Sequence, residues 1–238
     1  MIGIISDIHG NYPALAAVIE ELKKKNCTDI FCLGDIAGYY CMINECIELL
    51  RENNVISIKG NHDNYLIGEG ICPRSNTANL CIQYQQKVIN ESNKMWLQAN
   101  EIILLNETFC AVHGGWNDFL DEYVVNFNFE DKKVQQYKVN MFLSGHTHKP
   151  LVQRTGEKAY CNPGSVGQPR DHNPKASYAI IDGQDVMLYR IEYNIDEIAR
   201  EMNKAGFDEY FYSNLYKGCR IGEVQAENTE RNVDWRRR

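Results

Sequence analysis

Over the first sixty residues, short β-branched apolar runs alternate with apolar residues at helical spacing. Ile2, Ile4 and Ile5 predict a strand, and Leu15, Val18, Ile19 and Leu22 then recur at i, i+3, i+4 and i+7, the spacing of an amphipathic helix. Pro13 near its start and Lys23, Lys24 and Lys25 at its end suit the helix termini, and Asn11 is placed to cap it. A second strand follows at Ile30 to Leu33. A second helix over Met42 to Leu50 turns Ile43, Cys46, Ile47 and Leu50 inward, and Val55 to Ile58 make a third strand. This is βαβ construction, the signature of an α/β fold.

Residues 64–101 break the rhythm. They are polar and rich in Asn and Gln, with Leu80, Tyr84 and Val88 at helical spacing and Ser92 as the expected cap of a short helix holding Trp96. We read a helical insertion bordering any active cleft as a lid. Strands resume at Phe109–Val112, Val139–Leu143, Ala159–Cys161, Ser177–Ile181 and Val186–Tyr193, with a hairpin turn at Asp182-Gly183. Ile195 to Leu215 reads as helical. No repeat or linker marks a boundary, so the expectation is one domain over 1–238: a core over about 1–195, the insertion over about 64–101 and a helical tail over about 195–238.

The chain has 238 residues, and nine cysteines without a Cys-x-x-Cys pair exclude a zinc ribbon and argue against a disulfide framework. No run approaches the roughly 18 apolar residues needed to cross a membrane, and the amino terminus lacks the apolar core of a signal peptide, so a cytoplasmic protein is expected. With 25 Lys+Arg against 32 Asp+Glu the net charge is −7, which disfavours nucleic acid as a partner. Arg236, Arg237 and Arg238 have acidic neighbours and make no basic arm.

Five of the six histidines stand at or just beyond the ends of predicted strands, beside carboxylate, amide or glycine. Asp7-Ile8-His9 follows the first strand, Gly34-Asp35 the second, Gly60-Asn61-His62-Asp63 the third, His113-Gly114-Gly115 the fourth and Gly145-His146-Thr147-His148 the fifth. In an open α/β sheet the carboxyl ends of neighbouring strands share one edge, where ligand crevices form. Two Asp, one Asn and up to five His therefore converge without cysteine, a donor set suited to first-row divalent cations. That is too many donors for one open catalytic ion. A pair about 3.5–4 Å apart sharing a carboxylate uses them well, so two ions of the manganese, iron, zinc or nickel kind are expected.

The motifs DxH at 7–9, GDxxG at 34–38, GNHD at 60–63, HGG at 113–115 and GHTH at 145–148 resemble, in order and spacing, the five blocks of the calcineurin-like metallophosphoesterases. SDIHGN at 6–11 and NPGSVGQPRD at 162–171 resemble its small prokaryotic phosphodiesterase-like branch. The resemblance implies a four-layered α/β/β/α sandwich of two mixed sheets. It implies one metal held by Asp7, His9 and His148, a second by Asn61, His113 and His146, and Asp35 bridging them. It gives His62 the role of a proton donor or charge stabiliser at the scissile phosphate. The activity implied is hydrolysis of a phosphodiester or related small phosphate ester by a hydroxide shared between the ions. A nuclease using the same ions and a non-catalytic, metal-stabilised interaction scaffold are the alternative readings.

Where the protein phosphatases of this superfamily carry GDxxDRG, this chain has Gly38-Tyr39 and no arginine. That favours a singly charged diester over a monoester. Arg170 is a candidate phosphate ligand, against the alternative of an exposed arginine paired with Asp171. Asp63 is the remaining candidate to orient His62. Tyr39 and Tyr40 are read as cleft wall or packing, His172 as solvated, and Cys32 and Cys110 as core.

Overall fold

The computed structural model describes residues 1–68 and 70–223. β1 (Ile2–Ile5), α1 (Tyr12–Lys24), β2 (Asp29–Cys32), α2 (Ile43–Glu52) and β3 (Ile56–Ser57) form the opening βαβαβ unit. Three helices follow, α3 (Asn61–Ile67), α4 (Asn76–Val88) and α5 (Glu91–Ala99). Then come β4 (Ile103–Leu105), β5 (Phe109–Val112), α6 (Lys132–Gln135), β6 (Met141–Leu143), β7 (Leu151–Thr155), β8 (Lys158–Asn162), β9 (Ala176–Asp182), β10 (Asp185–Ile191) and α7 (Ile195–Lys204). Two 3₁₀ turns, Glu209–Phe211 and Ser213–Tyr216, end the described chain's regular structure.

The strands make two five-stranded sheets, ordered β10-β9-β1-β2-β3 and β4-β5-β6-β8-β7. Both are mixed. β1 pairs parallel with β2 and antiparallel with β9, and β6 pairs parallel with β5 and β8. Successive strand residues point to opposite faces, so the unbroken apolar run of β1 serves two layers. Ile4 joins Phe31, Leu33, Phe109, Leu143 and Ile181 between the sheets, while Ile5 packs with Leu15, Val18, Leu22, Ile47 and Leu50 under the helices. The outer face of the second sheet is covered by Trp116, Phe127, Phe129 and Val134, from a segment whose one helix is α6. This is the α/β/β/α sandwich of two mixed sheets that the resemblance implies, with a thin fourth layer.

Both opening helices bury the predicted residues, and Asn11 caps α1 by accepting from the Ala14 N–H at 3.4 Å. Elsewhere the sequence expectations need correction. Helix α4 buries Ala78, Cys81, Ile82 and Gln85 rather than the Leu80/Tyr84/Val88 face, because its buried side is partly polar. Asn90, not Ser92, caps α5, accepting from the Asn93 N–H at 2.8 Å. The edge strands β4 and β7 carry half-exposed or exposed side chains and so lack the apolar density that marked the others. The last helix stops at Lys204 and gives way to 3₁₀ turns rather than continuing to Leu215. The tail beyond residue 223 lies outside the described residues.

The two sheets meet where β1 and β6 end. A Cβ on Gly145 would lie 2.0 Å from Ser6 Oγ, so only glycine lets the two loops come this close. Gly145 in turn donates to the His113 carbonyl at 2.9 Å, and the loops after β1, β5 and β6 become one layer of backbone.

Candidate metal centre

Asp7, His9, Asp35, Asn61, His62, His113, His146 and His148 come together at this strand-end edge, all at most 5% exposed. Five of them hold left-handed backbone: Asp7 (φ 54°), His9 (54°), Asp35 (55°), His146 (66°) and His148 (59°). Each such conformation at a non-glycine residue costs on the order of 1 kcal/mol or more, and it persists only where surrounding bonds fix it. Those bonds are present: Asp7 N–H donates to the Gly34 carbonyl at 3.0 Å, His9 N–H to Asp35 at 2.9 Å and Gly167 N–H to Asp7 at 3.0 Å. Strain is stored here to turn the side chains inward.

The donors fall into clusters whose ligand atoms lie within 4.8 Å of one another. One is Asp7, His9 and His148, and another is Asp35, His113 and His146. The first holds the residues expected at one metal; the second joins His113 and His146 to Asp35 and does not include Asn61, and a third, His9, Asp35 and His62, shares members with both. Three imidazoles have Nδ1 against backbone carbonyls: His9 on Ala37 at 2.8 Å, His113 on Leu33 at 2.8 Å and His148 on Gln168 at 2.6 Å. A carbonyl can only accept, so Nδ1 carries a proton and Nε2 is the ring atom that could coordinate an ion. His9 Nε2 and His148 Nε2 face one another at 3.0 Å.

Five ligand-type groups bury polar atoms with no hydrogen-bond partner among the described residues: Asp7 Oδ1, Asp35 Oδ2, both amide atoms of Asn61, His113 Nε2 and His146 Nε2. Orphaned polar atoms in this number are costly in a folded core, and divalent cations satisfy them all at once. The donor set therefore fits divalent metal ions.

Electrostatics follow burial and pairing. Burial raises Asp7 to about 7, with the Asp35 charge adding to it and His113 opposing. Burial opposes charge on His113 as well, but Asp35 at 3.3 Å outweighs it and lifts that imidazole to about 10. Burial also acts on Asp35, where the attraction of His113, His62 and His9 prevails and holds the carboxyl far down. Burial depresses His62 to about 4 and His146 to about 3.

Asp63 does not orient His62. Its carboxylate accepts from the backbone of Asp35, Ala37 and Gly60, and His62 Nδ1 has no partner among the described residues. His62 instead donates its own N–H to Asp35 Oδ1 at 2.9 Å and packs its ring against Tyr39 and Tyr65. Gly38 explains the departure from GDxxDRG: with φ +141°, its Cβ would lie 2.1 Å from His9 Nδ1, so no aspartate fits there.

A cleft of about 220 Å³ opens over the cluster, lined among others by Tyr39, His62, His146, His148 and Arg170. Arg170 is buried and is not paired with Asp171, which Arg190 binds. Its guanidinium donates through Nε and Nη2 to Gln168 Oε1 and lies 5.4 Å from the centre of the Tyr39 ring. Tyr40 is core. His172 is outside the site, its side chain 69% exposed. Among the described residues of the insertion, Cys72, Arg74, Ser75 and Thr77, at or just before the start of α4, line the cleft. Tyr123, tilted against His146 with centroids 4.2 Å apart, escaped the sequence reading because it belongs to no motif. Gln168 lies inside NPGSVGQPRD, a signal that was present.

The chain is similar to the uncharacterized protein MJ0912 of Methanocaldococcus jannaschii, 33% identical over 92% of this chain and 98% of that protein. It is also similar to phosphodiesterase YfcE of Escherichia coli K12, 28% identical over 74% and 84% of the two chains. The crystal structure of a metallophosphoesterase from Sphaerobacter thermophilus superposes with a TM-score of 0.80 at 31% identity, covering 91% of this chain and 99% of that one. Residues 1–185 match the calcineurin-like phosphoesterase superfamily domain, and the chain belongs to that superfamily.

Proposed function

We propose that this chain is a hydrolase that cleaves a phosphodiester or related phosphate ester with two divalent metal ions. Supporting the reading are clusters of ligand-type atoms within 4.8 Å of one another, several of them orphaned, beneath a cleft that holds a buried arginine. Asp7, His9 and His148 would hold one ion, Asn61, His113 and His146 the other, and Asp35 both. When bound, such ions supply Lewis acidity, neutralising phosphoryl oxygens and acidifying water.

The chain's own groups do the rest. Arg170, pre-set by Gln168 and Tyr39, presents a planar fork to a non-bridging phosphate oxygen. His62, held neutral at pH 7 by burial, offers a ring N–H to the leaving-group oxygen and stabilises its developing charge, a contribution of ~10²–10³ in rate for one such donor. Tyr39 walls the cleft beside the ester's organic arm. No helix among the described residues is long and apolar enough to cross a membrane. A reducing compartment such as the cytoplasm suits the buried thiols of Cys32, Cys46, Cys110 and Cys161.

The test is reconstitution of the metal-stripped protein with manganese, iron, zinc or nickel, followed by assay on bis-p-nitrophenyl phosphate and p-nitrophenyl phosphate. Metal-dependent turnover with the diester preferred is expected. No turnover with any ion sinks the reading and favours the interaction scaffold.

A further inference from the structure

Two guanidinium groups stand on tyrosine rings on two flanks of the donor cluster. Arg170 lies over Tyr39, whose ring packs on His9 and His62. Arg74 lies over Tyr123, 5.5 Å from its centre, and Tyr123 packs on His146. Both arginines line the same cleft, together with Arg220. The scissile phosphate accounts for Arg170. It leaves Arg74 and Arg220 as cationic groups at the cleft wall.

Arg74 has an internal anion as partner. Its Nη2 donates to Asp121 Oδ1, from the loop after β5, and that same oxygen lies 3.8 Å from His146 Nε2. Asp121 thus stands between a cleft arginine and one of the orphaned ligand nitrogens. Its side chain is 32% exposed, and Arg74's is 43% exposed, so the pair lies within reach of solvent and ligand. An ion pair this accessible contributes only about 0–1 kcal/mol, a small barrier for an incoming anion to overcome.

We propose that Arg74, in a cleft that Arg220 also lines, is a second anion subsite that selects phosphodiesters bearing an additional phosphate on the organic arm, and that Asp121 occupies this subsite when substrate is absent. The proposal rests on the phosphoesterase reading for its location and goes beyond it in naming the substrate class. It also supplies the positive charge that the missing arginine after Asp35 left in question.

Two p-nitrophenyl esters isolate the effect: thymidine 5′-phosphate p-nitrophenyl ester and the same compound with a 3′-phosphate. Leaving group and scissile diester are identical. The manganese-loaded wild type is expected to show the higher kcat/KM on the 3′-phosphorylated ester, carried by KM. Arg74→Ala should reduce that preference about tenfold or more, the scale of a hydrogen bond between charged groups, and Arg74→Lys should restore part of it. Asp121→Asn should lower KM for the 3′-phosphorylated ester more than for its partner.

Calorimetric titration with thymidine 3′,5′-bisphosphate and thymidine 5′-phosphate reads the subsite without turnover, and the bisphosphate should bind more tightly in wild type. Equal losses on the two compounds in Arg74→Ala, or no tighter bisphosphate binding in Asp121→Asn, overturn the proposal. Hydrolysis of neither ester, with the binding preference intact and lost in Arg74→Ala, overturns the phosphoesterase reading and leaves the subsite standing.

Discussion

Asp63 holds Asp35 through the backbone: Asp63 Oδ2 accepts from the Asp35 N–H at 2.8 Å and from the Gly60 N–H at 2.9 Å, while Oδ1 accepts from the Ala37 N–H at 2.8 Å. The residue after His62 thus fastens the loop after β2 to the start of α3. It is buried, so each of these bonds is made away from water.

Replacing Asp63 by Asn puts an amide donor where an N–H donor already points. The expected cost is about 1–3 kcal/mol, the penalty for a buried unsatisfied group. For a domain of this size that is a Tm several degrees lower, at about 2–4 °C per kcal/mol. Metal content should fall with it, since Asp35 moves. An unchanged Tm with an altered pH profile for kcat would return Asp63 to the role of orienting His62.

Gly38→Ala probes the place where the superfamily's protein phosphatases carry aspartate. The added carbon meets the His9 ring, and φ +141° is strained for any side chain. The Asp7/His9/His148 position should lose its ion while Asp35, His113 and His146 keep theirs. Metal analysis should fall from near two equivalents to near one. Two equivalents retained would mean His9 is not a ligand.

His62 and Asp35 should separate in a mutant series if, as proposed, one group acts on substrate and the other holds metal. His62→Ala is expected to keep both ions and lose kcat by ~10²–10³, the scale of one donor to a developing negative charge. Asp35→Asn should weaken both positions together. His62→Ala that emerges with one ion, and recovers full rate in excess metal, would make His62 a ligand, as its cluster with His9 and Asp35 permits.

Metal removal should expose a pH dependence that the loaded protein lacks. Without ions, His113 is an imidazolium lifted from 6.5 to about 10 by Asp35. A raised folded pKa gives stability that is complete below 6.5 and lost as pH rises through 10. With an ion on Nε2 that proton is absent, so this contribution vanishes. Thermal melts at pH 7 and 9.5 should show a steeper decline for chelated protein than for loaded protein. Parallel declines would sink the idea.

The strand-end histidines were legible because each lies within a short motif whose glycines and carboxylates are local. What orders them was not. Nδ1 of His9, His113 and His148 is fixed by the carbonyls of Ala37, Leu33 and Gln168, and a backbone carbonyl has no residue type to signal it. Arg74 meets Asp121 and Tyr123, two neighbours on a loop some fifty residues away, around His146, with no periodicity to join the two segments. The fold class was legible from the β-branched runs, whereas β4 and β7 were not, being edge strands with exposed faces.

The antiparallel seat of β9 beside β1 sets when the centre can exist during synthesis. Every proposed ligand has been made by His148, yet Asp7 is still to be tied down by the N–H of Gly167 and the hydroxyl of Ser165, and β1, paired with β2, lacks its antiparallel neighbour until Asp182. At ~5–20 residues per second that interval is roughly 2–7 s. Through it the growing chain displays imidazoles and carboxylates without the geometry that spaces them. A chain released after residue 148 would carry all seven proposed ligands without the backbone bonds that fix Asp7 among them.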